Sequence, residues 1–392
     1  MSIDDSQLDN WIRDRFCELN TALEELYFAK ENKCNSPHIG TELKSALYQE
    51  GLALINDLVK LDYRALNYEQ NFNLLGNIGF YMAAYYRHEI NKAIGDSTDL
   101  LKVVFSLALK LGSFLGVAPR LITSHLTTHN TAINGRYKSF THLKDEIVFL
   151  DYNTRSIFAY KQAANALLQI LPLGISHPAT TYLLKNAEAA LDEVILINKL
   201  IYKELDTDRF FYNFRNYYKP HPVGSDVYRG TNGGDFADIN IIDLLLGLCS
   251  SEQLQYLQLL NNKFLYIIPD DQHLLRDCIN QPNLMDSFLA VLPKEKSSKW
   301  FKNNLSNFIQ VCEKHGECSR QHHNELVEKF FNIPSQTQTQ TKTSHDSITS
   351  SGNPLDVLLR QLEDLRDQRL AVPRLDIYTR YHDIQRLKAT LA

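Results

Sequence analysis

KWFKNNLSNFIQVCEKHGECSRQHHNELVEKFF, residues 299–331, is the stretch on which the fold class turns. Its apolar and small positions are Leu305, Ile309, Cys312, Gly316, Ser319, Leu326, Val327 and Phe330. At 100° per residue these gather on one side of a helix. His323 falls in the middle of that stripe, whereas His315 and His322 point away from it. A histidine on an inward helical face reads in two ways. It is either a satisfied core residue or a neutral imidazole set against an apolar wall, the usual axial ligand of a haem iron. Cys312, His315, Cys318 and His322 are spaced like zinc ligands, yet on one helix they cannot converge on one ion without unwinding it. The Cys-x-x-Cys-His run of covalent haem attachment is absent.

The same period extends outward from this helix. Leu19, Leu23, Leu26 and Tyr27 share a face, as do Leu100, Val104, Leu107 and Leu111, while strand-like alternation is almost absent. The expected fold is all-α. A break at Gly116 and Pro119 closes a smaller helical domain at residues 1–117, with 118–149 connecting it to a large helical domain at 150–392. Residues 336–353, rich in Gln, Thr and Ser, lack core-forming side chains and read as a mobile loop, either a lid or an inert insertion. A helix follows from about Pro354 to Leu370.

With 392 residues, 44% hydrophobic and 22% charged, the chain has ordinary globular composition. A net charge of -5 without a long basic run argues against nucleic acid or anionic membrane as the partner. No apolar run approaches the roughly 18–20 residues of a membrane span. The acidic, polar start MSIDDSQLDNWIRDRF is unlike a signal peptide, so a cytoplasmic location is expected, with the six cysteines as free thiols.

Two further constellations carry chemistry. Residues 239–248, INIIDLLLGL, are apolar on every side, so Asp243 sits in a buried helix and requires a nearby cation unless it lies on a narrow exposed edge. Upstream, RFFYNFRNYY (residues 209–218) places Phe210, Phe211, Phe214 and Arg215 around one helical turn. A guanidinium among rings can grip the carboxylate of a flat aromatic amino acid; plain core packing beside a surface arginine is the alternative. Between them lies Gly230-Thr-Asn-Gly-Gly-Asp, a bend where backbone can approach a ligand closely.

Taken together, FYNFR (211–215), YKPHPVGSDVYRG (218–230), DLLLG (243–247) and RQHHNELVEKFFNIPSQ (320–336) resemble the indoleamine 2,3-dioxygenases. Weaker likeness runs through KLGSFLGVAPRL (110–121) and the SSGNP that ends the polar loop (350–354). The resemblance implies haem b and dioxygen, cleavage of the indole C2–C3 bond, and an aromatic amino-acid substrate such as tryptophan. Its Arg-x-x-His spacing to Ile-Pro selects His323 as proximal ligand. It implies Arg215 as carboxylate anchor, Phe210 and Phe211 as distal walls, and an Asp243–Arg320 ion pair behind the haem. It also places Asn232 near the cofactor, and Gly233, Gly234 and Ser351 around the substrate. The sequence departs from the family in three places: its pocket tyrosine appears as Thr123, Ser156 and Ile157 compete for its distal serine, and its small-residue bend reads Thr231-Asn232-Gly233-Gly234. Those departures open two rival readings. One is another haem enzyme of the superfamily, such as the pyrrolnitrin-pathway enzyme that rearranges a tryptophan-derived ring or an aromatic hydroxylase. The other is a haem sensor or carrier without turnover, against which Arg215 argues.

Overall fold

The computed structural model describes residues 6–33, 35–94, 99–332, 334, 349–350 and 352–391. Ser351 and most of the 336–353 segment, expected to be a mobile loop serving as a lid or an inert insertion, lie outside those residues. Helices α1 (Ser6–Arg13), α2 (Arg15–Phe28), α3 (Thr41–Leu58), α4 (Tyr68–Arg87) and α5 (Asp99–Leu115) come first. α4 is the hub of this group. Asn67 and Gln70 close a reciprocal capping box at its start, Oδ1 accepting from Gln70 N–H at 2.8 Å and Oε1 from Asn67 N–H at 3.0 Å. Its next turns bury Phe72, Leu75, Ile78, Phe80 and Tyr81, consistent with a helix packed on most sides.

α6 (Lys144–Leu173) and α7 (Pro178–Glu204) form a long antiparallel pair. Then come α8 (Asp238–Leu246), α9 (Leu254–Phe264), α10 (Pro269–Ile279), α11 (Leu284–Glu295), α12 (Lys299–Gln321), α13 (Leu355–Arg369) and α14 (Tyr381–Lys388). The named strands of the described residues are one antiparallel hairpin, His221–Val223 against Asp226–Tyr228, turned at Gly224 with φ +67°. The fold is all-α. No helix among the described residues is long and apolar enough to cross a membrane.

Buried apolar side chains fall into two clusters. One joins α1–α5 to Phe210, Phe214, Tyr217, Tyr218, Leu326 and Phe330. The other fills the space between α6, α7 and helices α8–α12. The aromatic segment 209–218 therefore packs on the N-terminal helices and meets the end of the histidine-bearing helix.

That helix departs from expectation. It is α-helical only to Gln321 and continues as a π-helix from His322 to Asn332; a second π-turn spans Arg209–Asn213. A π-helix repeats at i+5, so the 100° phase used to rank the histidines does not hold beyond Gln321. His315, expected off the apolar stripe, is buried because it has a buried acceptor. Its Nε2 donates to Asp243 Oδ1 at 2.7 Å.

Asp243 is fully buried, which excludes the exposed-edge reading, but its cation is not Arg320. Arg369 of α13 grips it with two 2.7 Å contacts, and the Tyr256 hydroxyl donates to Oδ2 at 2.9 Å. Burial pushes this carboxyl up, and Arg369 and His315 more than reverse it, leaving it well below the ordinary carboxylate range. Arg320 instead lies partly exposed on the far side of its helix, paired with Glu317 at 2.6 Å and Glu325 at 3.1 Å.

Arg369→Leu strands a buried charge and should cost about 3–5 kcal/mol, whereas Arg320→Leu should cost under ~1 kcal/mol. In Arg369→Leu the Asp243 carboxyl is raised above its unfolded value, so the folded state holds the extra proton. The deficit should shrink as pH falls toward about 5 and grow as it rises. Denaturant melts of both variants across that range check this, and equal midpoints for the two would refute the assignment.

Candidate functional site

The 3₁₀ turn Phe214–Tyr218 follows the Arg209–Asn213 π-turn directly. Phe210 packs against Phe149 at 5.5 Å, Phe330 at 5.4 Å and Phe331 at 5.4 Å between ring centroids. Offset and edge contacts at these distances are attractive beyond the area they bury. The Arg215 guanidinium lies 4.0 Å over the Phe211 ring and 5.2 Å from that of Phe331. Phe210, Phe211 and Arg215 thus form one aromatic layer against the His323–Phe331 helix, and none of the three lines a cavity among the described residues.

Thr123 opens a single helical turn, Thr123–Leu126. Its hydroxyl donates to the Asn232 carbonyl at 2.6 Å, and that of Thr231 donates to the Leu121 carbonyl at 3.0 Å. These two bonds lace the segment after α5 to the small-residue bend. The bend is held from below by Asp235, which accepts both Arg229 amino groups at 2.7 and 2.9 Å. Asn232 turns its own carboxamide onto the Gly234 N–H at 3.1 Å, an Asx-type turn.

A small cavity lies between these parts, walled by Thr123, Leu126 and Thr127 on one side and by Thr231 and Gly233 of the bend on another. Phe149, Leu150 and Asn153 of α6 and Tyr218 complete it. Its volume of about 20 Å³ holds no more than a water, so a ring-sized ligand needs side-chain movement to enter. Asn153, not Ser156 or Ile157, occupies the α6 position on this cavity. Ser156 is buried outside the lining, and Ile157 belongs to the second core cluster. Neither Asn153 nor Tyr218 was singled out from sequence. The signal for Asn153 was present, since 149, 150 and 153 share one helical face. Tyr218 could have been found three residues from Arg215, because positions i and i+3 eclipse on a 3₁₀ turn.

His323 borders a second cavity, of about 250 Å³, with Val327, Glu328 and the α13 residues Asp356, Leu359, Arg360 and Glu363. The i, i+4, i+5 set 323, 327 and 328 is one face of a π-helix. His323 Nδ1 is buried without a hydrogen-bond partner among the described residues. Burial, and then the charge of Arg366, lower its pKa, which favours neutral imidazole. A neutral ring beside a cavity meets one demand of an axial haem ligand. Glu328, Asp356, Arg360 and Glu363, however, put charge on four of the seven lining positions, which is not the apolar wall that a haem needs. His322 is exposed, and the His315 Nε2 is engaged by Asp243. Arg366 reaches Asn324 at 2.9 Å, fastening α13 beside His323. Thus the expected site residues divide. Thr123 and Gly233 line one cavity and His323 the other, with the Phe210–Arg215 layer between them. Asp243 stands behind α12, and Asn232 and Gly234 shape the bend without lining either space.

The family model of monodechloroaminopyrrolnitrin synthase, PrnB, matches residues 2–391. The chain belongs to the PrnB family. The PrnB family is one of oxidoreductases within the haem-dependent superfamily that also holds the indoleamine dioxygenases, and this chain is such an enzyme. The narrower likeness to the indoleamine 2,3-dioxygenases read from the motifs is thereby widened to that superfamily.

Gly230 ties the bend to both neighbours. Its N–H donates to Ser350 O at 2.6 Å, and a Cβ added there would sit 1.7 Å from the Tyr218 carbonyl oxygen. Gly230→Ala must displace backbone and should lose at least about 2 kcal/mol, whereas at Gly234 the nearest atom to an added Cβ is 3.8 Å away and Ala should be tolerated. Paired thermal melts check this. Equal midpoints would show that the approach at Gly230 is looser than described.

Proposed function

We propose that this enzyme rearranges the ring system of a tryptophan-derived amino acid in secondary metabolism, using haem, and does not open the indole ring by inserting dioxygen. The observation that carries this reading is the match to monodechloroaminopyrrolnitrin synthase over residues 2–391. The altered pocket supports it. The hydroxyl of Thr123 is spent on Asn232, and the polar side chains lining the cavity from the other sides are Asn153 and Tyr218, not Ser156.

In this proposal His323 is the proximal ligand, neutral and backed by Val327. Haem, when bound, supplies dioxygen binding and redox chemistry that no side chain provides. The chain's own residues do the rest. Arg215, flanked by Phe211 and Phe331, offers its planar fork to the substrate carboxylate. Phe149, backed by Phe210, takes the ring and keeps water out. Thr231 and Thr123 hold the bend so that Gly233 approaches the ligand with backbone alone. A cytoplasmic site of action belongs to the same proposal.

Two experiments test it. Protein incubated with tryptophan or a ring-substituted tryptophan, dioxygen and reductant should give a product without the added mass of one dioxygen. A product heavier by both oxygen atoms returns the reading to ring cleavage. Separately, His323→Ala should lose the Soret band, while His322→Ala keeps it. His315→Ala should also keep it but melt lower, because Asp243 loses one of its donors. Normal haem content in His323→Ala would remove that residue as ligand.

A further inference from the structure

The small cavity beside the bend contains four hydroxyl-bearing side chains, and three of them are committed. Thr123 donates to Asn232 O at 2.6 Å, Thr127 to Thr123 O at 2.8 Å and Thr231 to Leu121 O at 3.0 Å. Tyr218 is the fourth. Its side chain is 8% exposed, and its phenolic oxygen is buried with no hydrogen-bond partner among the described residues. Native folds rarely leave such a group unpaired without a reason, because its desolvation is lost free energy. Burial, with the charge of Glu146, raises the phenol well above its ordinary pKa, so it stays protonated and uncharged. Tyr218 lines the cavity together with Phe149, Leu150 and Leu126, and with the Asn153 carboxamide. A slot whose three threonine hydroxyls are spent, leaving the buried Tyr218 oxygen and the half-buried Asn153 carboxamide, is complementary to a flat heteroaromatic ring carrying one N–H at its edge.

We propose that Tyr218 is a specificity-determining residue: its phenolic oxygen accepts a hydrogen bond from the ring N–H of a bound indole-type substrate. This rests on the reading of the cavity as the substrate site. Tyr218 and Arg215 stand three apart on one 3₁₀ turn and so share a side. One short element then carries both reading groups, the guanidinium for the carboxylate end and the phenol for the ring.

The test uses haem-loaded protein and two ligands, L-tryptophan and its benzothiophene analogue, in which sulfur replaces the ring N–H with nearly the same shape. Affinities of wild type and Tyr218→Phe are measured by isothermal titration calorimetry, with melting temperatures alongside. Wild type should prefer tryptophan by about tenfold, and Tyr218→Phe should lose that preference by weakening tryptophan alone. The variant should melt at or above wild type, since the hydroxyl it removes has no partner in the fold. A variant that binds both ligands as wild type does, or weakens both equally, overturns the proposal while leaving the cavity as a substrate site. A variant that melts lower shows that the hydroxyl is engaged within the fold, which also overturns it. If wild type binds neither ligand, the substrate reading fails and this proposal fails with it.

Discussion

A single buried carboxylate holds the second half of the chain in register. Asp243 has no exposed surface, and an isolated charge there would cost several kcal/mol. The fold meets that cost with donors from three separate elements, Tyr256 of α9, His315 of α12 and Arg369 of α13. Each contact constrains a helix. His315 fixes the rotation of α12, and His323 follows two turns later on the same continuous element, so the azimuth of one histidine sets that of the other. Arg369 fixes α13, whose Asp356, Leu359, Arg360 and Glu363 make the outer wall of the His323 cavity. The carboxylate touches neither cavity, yet both the candidate ligand and its facing wall are referred to it.

The two π-helical stretches meet at the other end of this construction. Phe210 lies on the first and Phe330 and Phe331 on the second, and the three rings are in contact. A π-turn widens the helix and changes which positions share a face, at some cost in hydrogen-bond geometry. Here it lets His323, Val327 and Glu328 address one cavity while Phe330 and Phe331 address the aromatic layer. The layer in turn backs Phe149, a wall of the small cavity. The space beside His323 and the space beside Thr123 are therefore linked by a run of tilted and edge-packed rings.

The helical class was legible because amphipathic period is a local property, visible in residues 299–331 without any partner. The apolar neighbours of Asp243 pointed to burial but left a narrow exposed edge open. Its partner was not legible. Arg369 is 126 positions away on a helix that the sequence marks only by leucines, and nothing local distinguishes it from Arg320. The π-helix after Gln321 was hidden for a related reason. A 100° phase presumes the α-helix it sets out to test, so it could not show the π-turns. His315 lies in the α-helical part and was missed because an apolar stripe does not mark a histidine that meets a buried acid of another helix. Asn153 was missed because a serine was sought at a neighbouring turn, although Phe149 and Leu150 already marked the inward face of α6.

The pocket departures are better understood as one change than as several. The resemblance to the dioxygenases places a tyrosine where this chain has Thr123, and the threonine hydroxyl is spent within the fold, on the Asn232 carbonyl. A phenol nevertheless lines the same cavity, from Tyr218 on the Arg215 turn. Polar groups in an apolar slot fix orientation more than affinity, because each donor or acceptor is satisfied in one pose and stranded in others. If Arg215 holds the carboxylate as proposed, a phenol on the same short turn changes which edge of a ring can be satisfied while the carboxylate is held. With the same cofactor, the atoms brought to reaction are then decided by the pose, and a scaffold shared with ring-opening enzymes can serve ring rearrangement through side-chain placement alone.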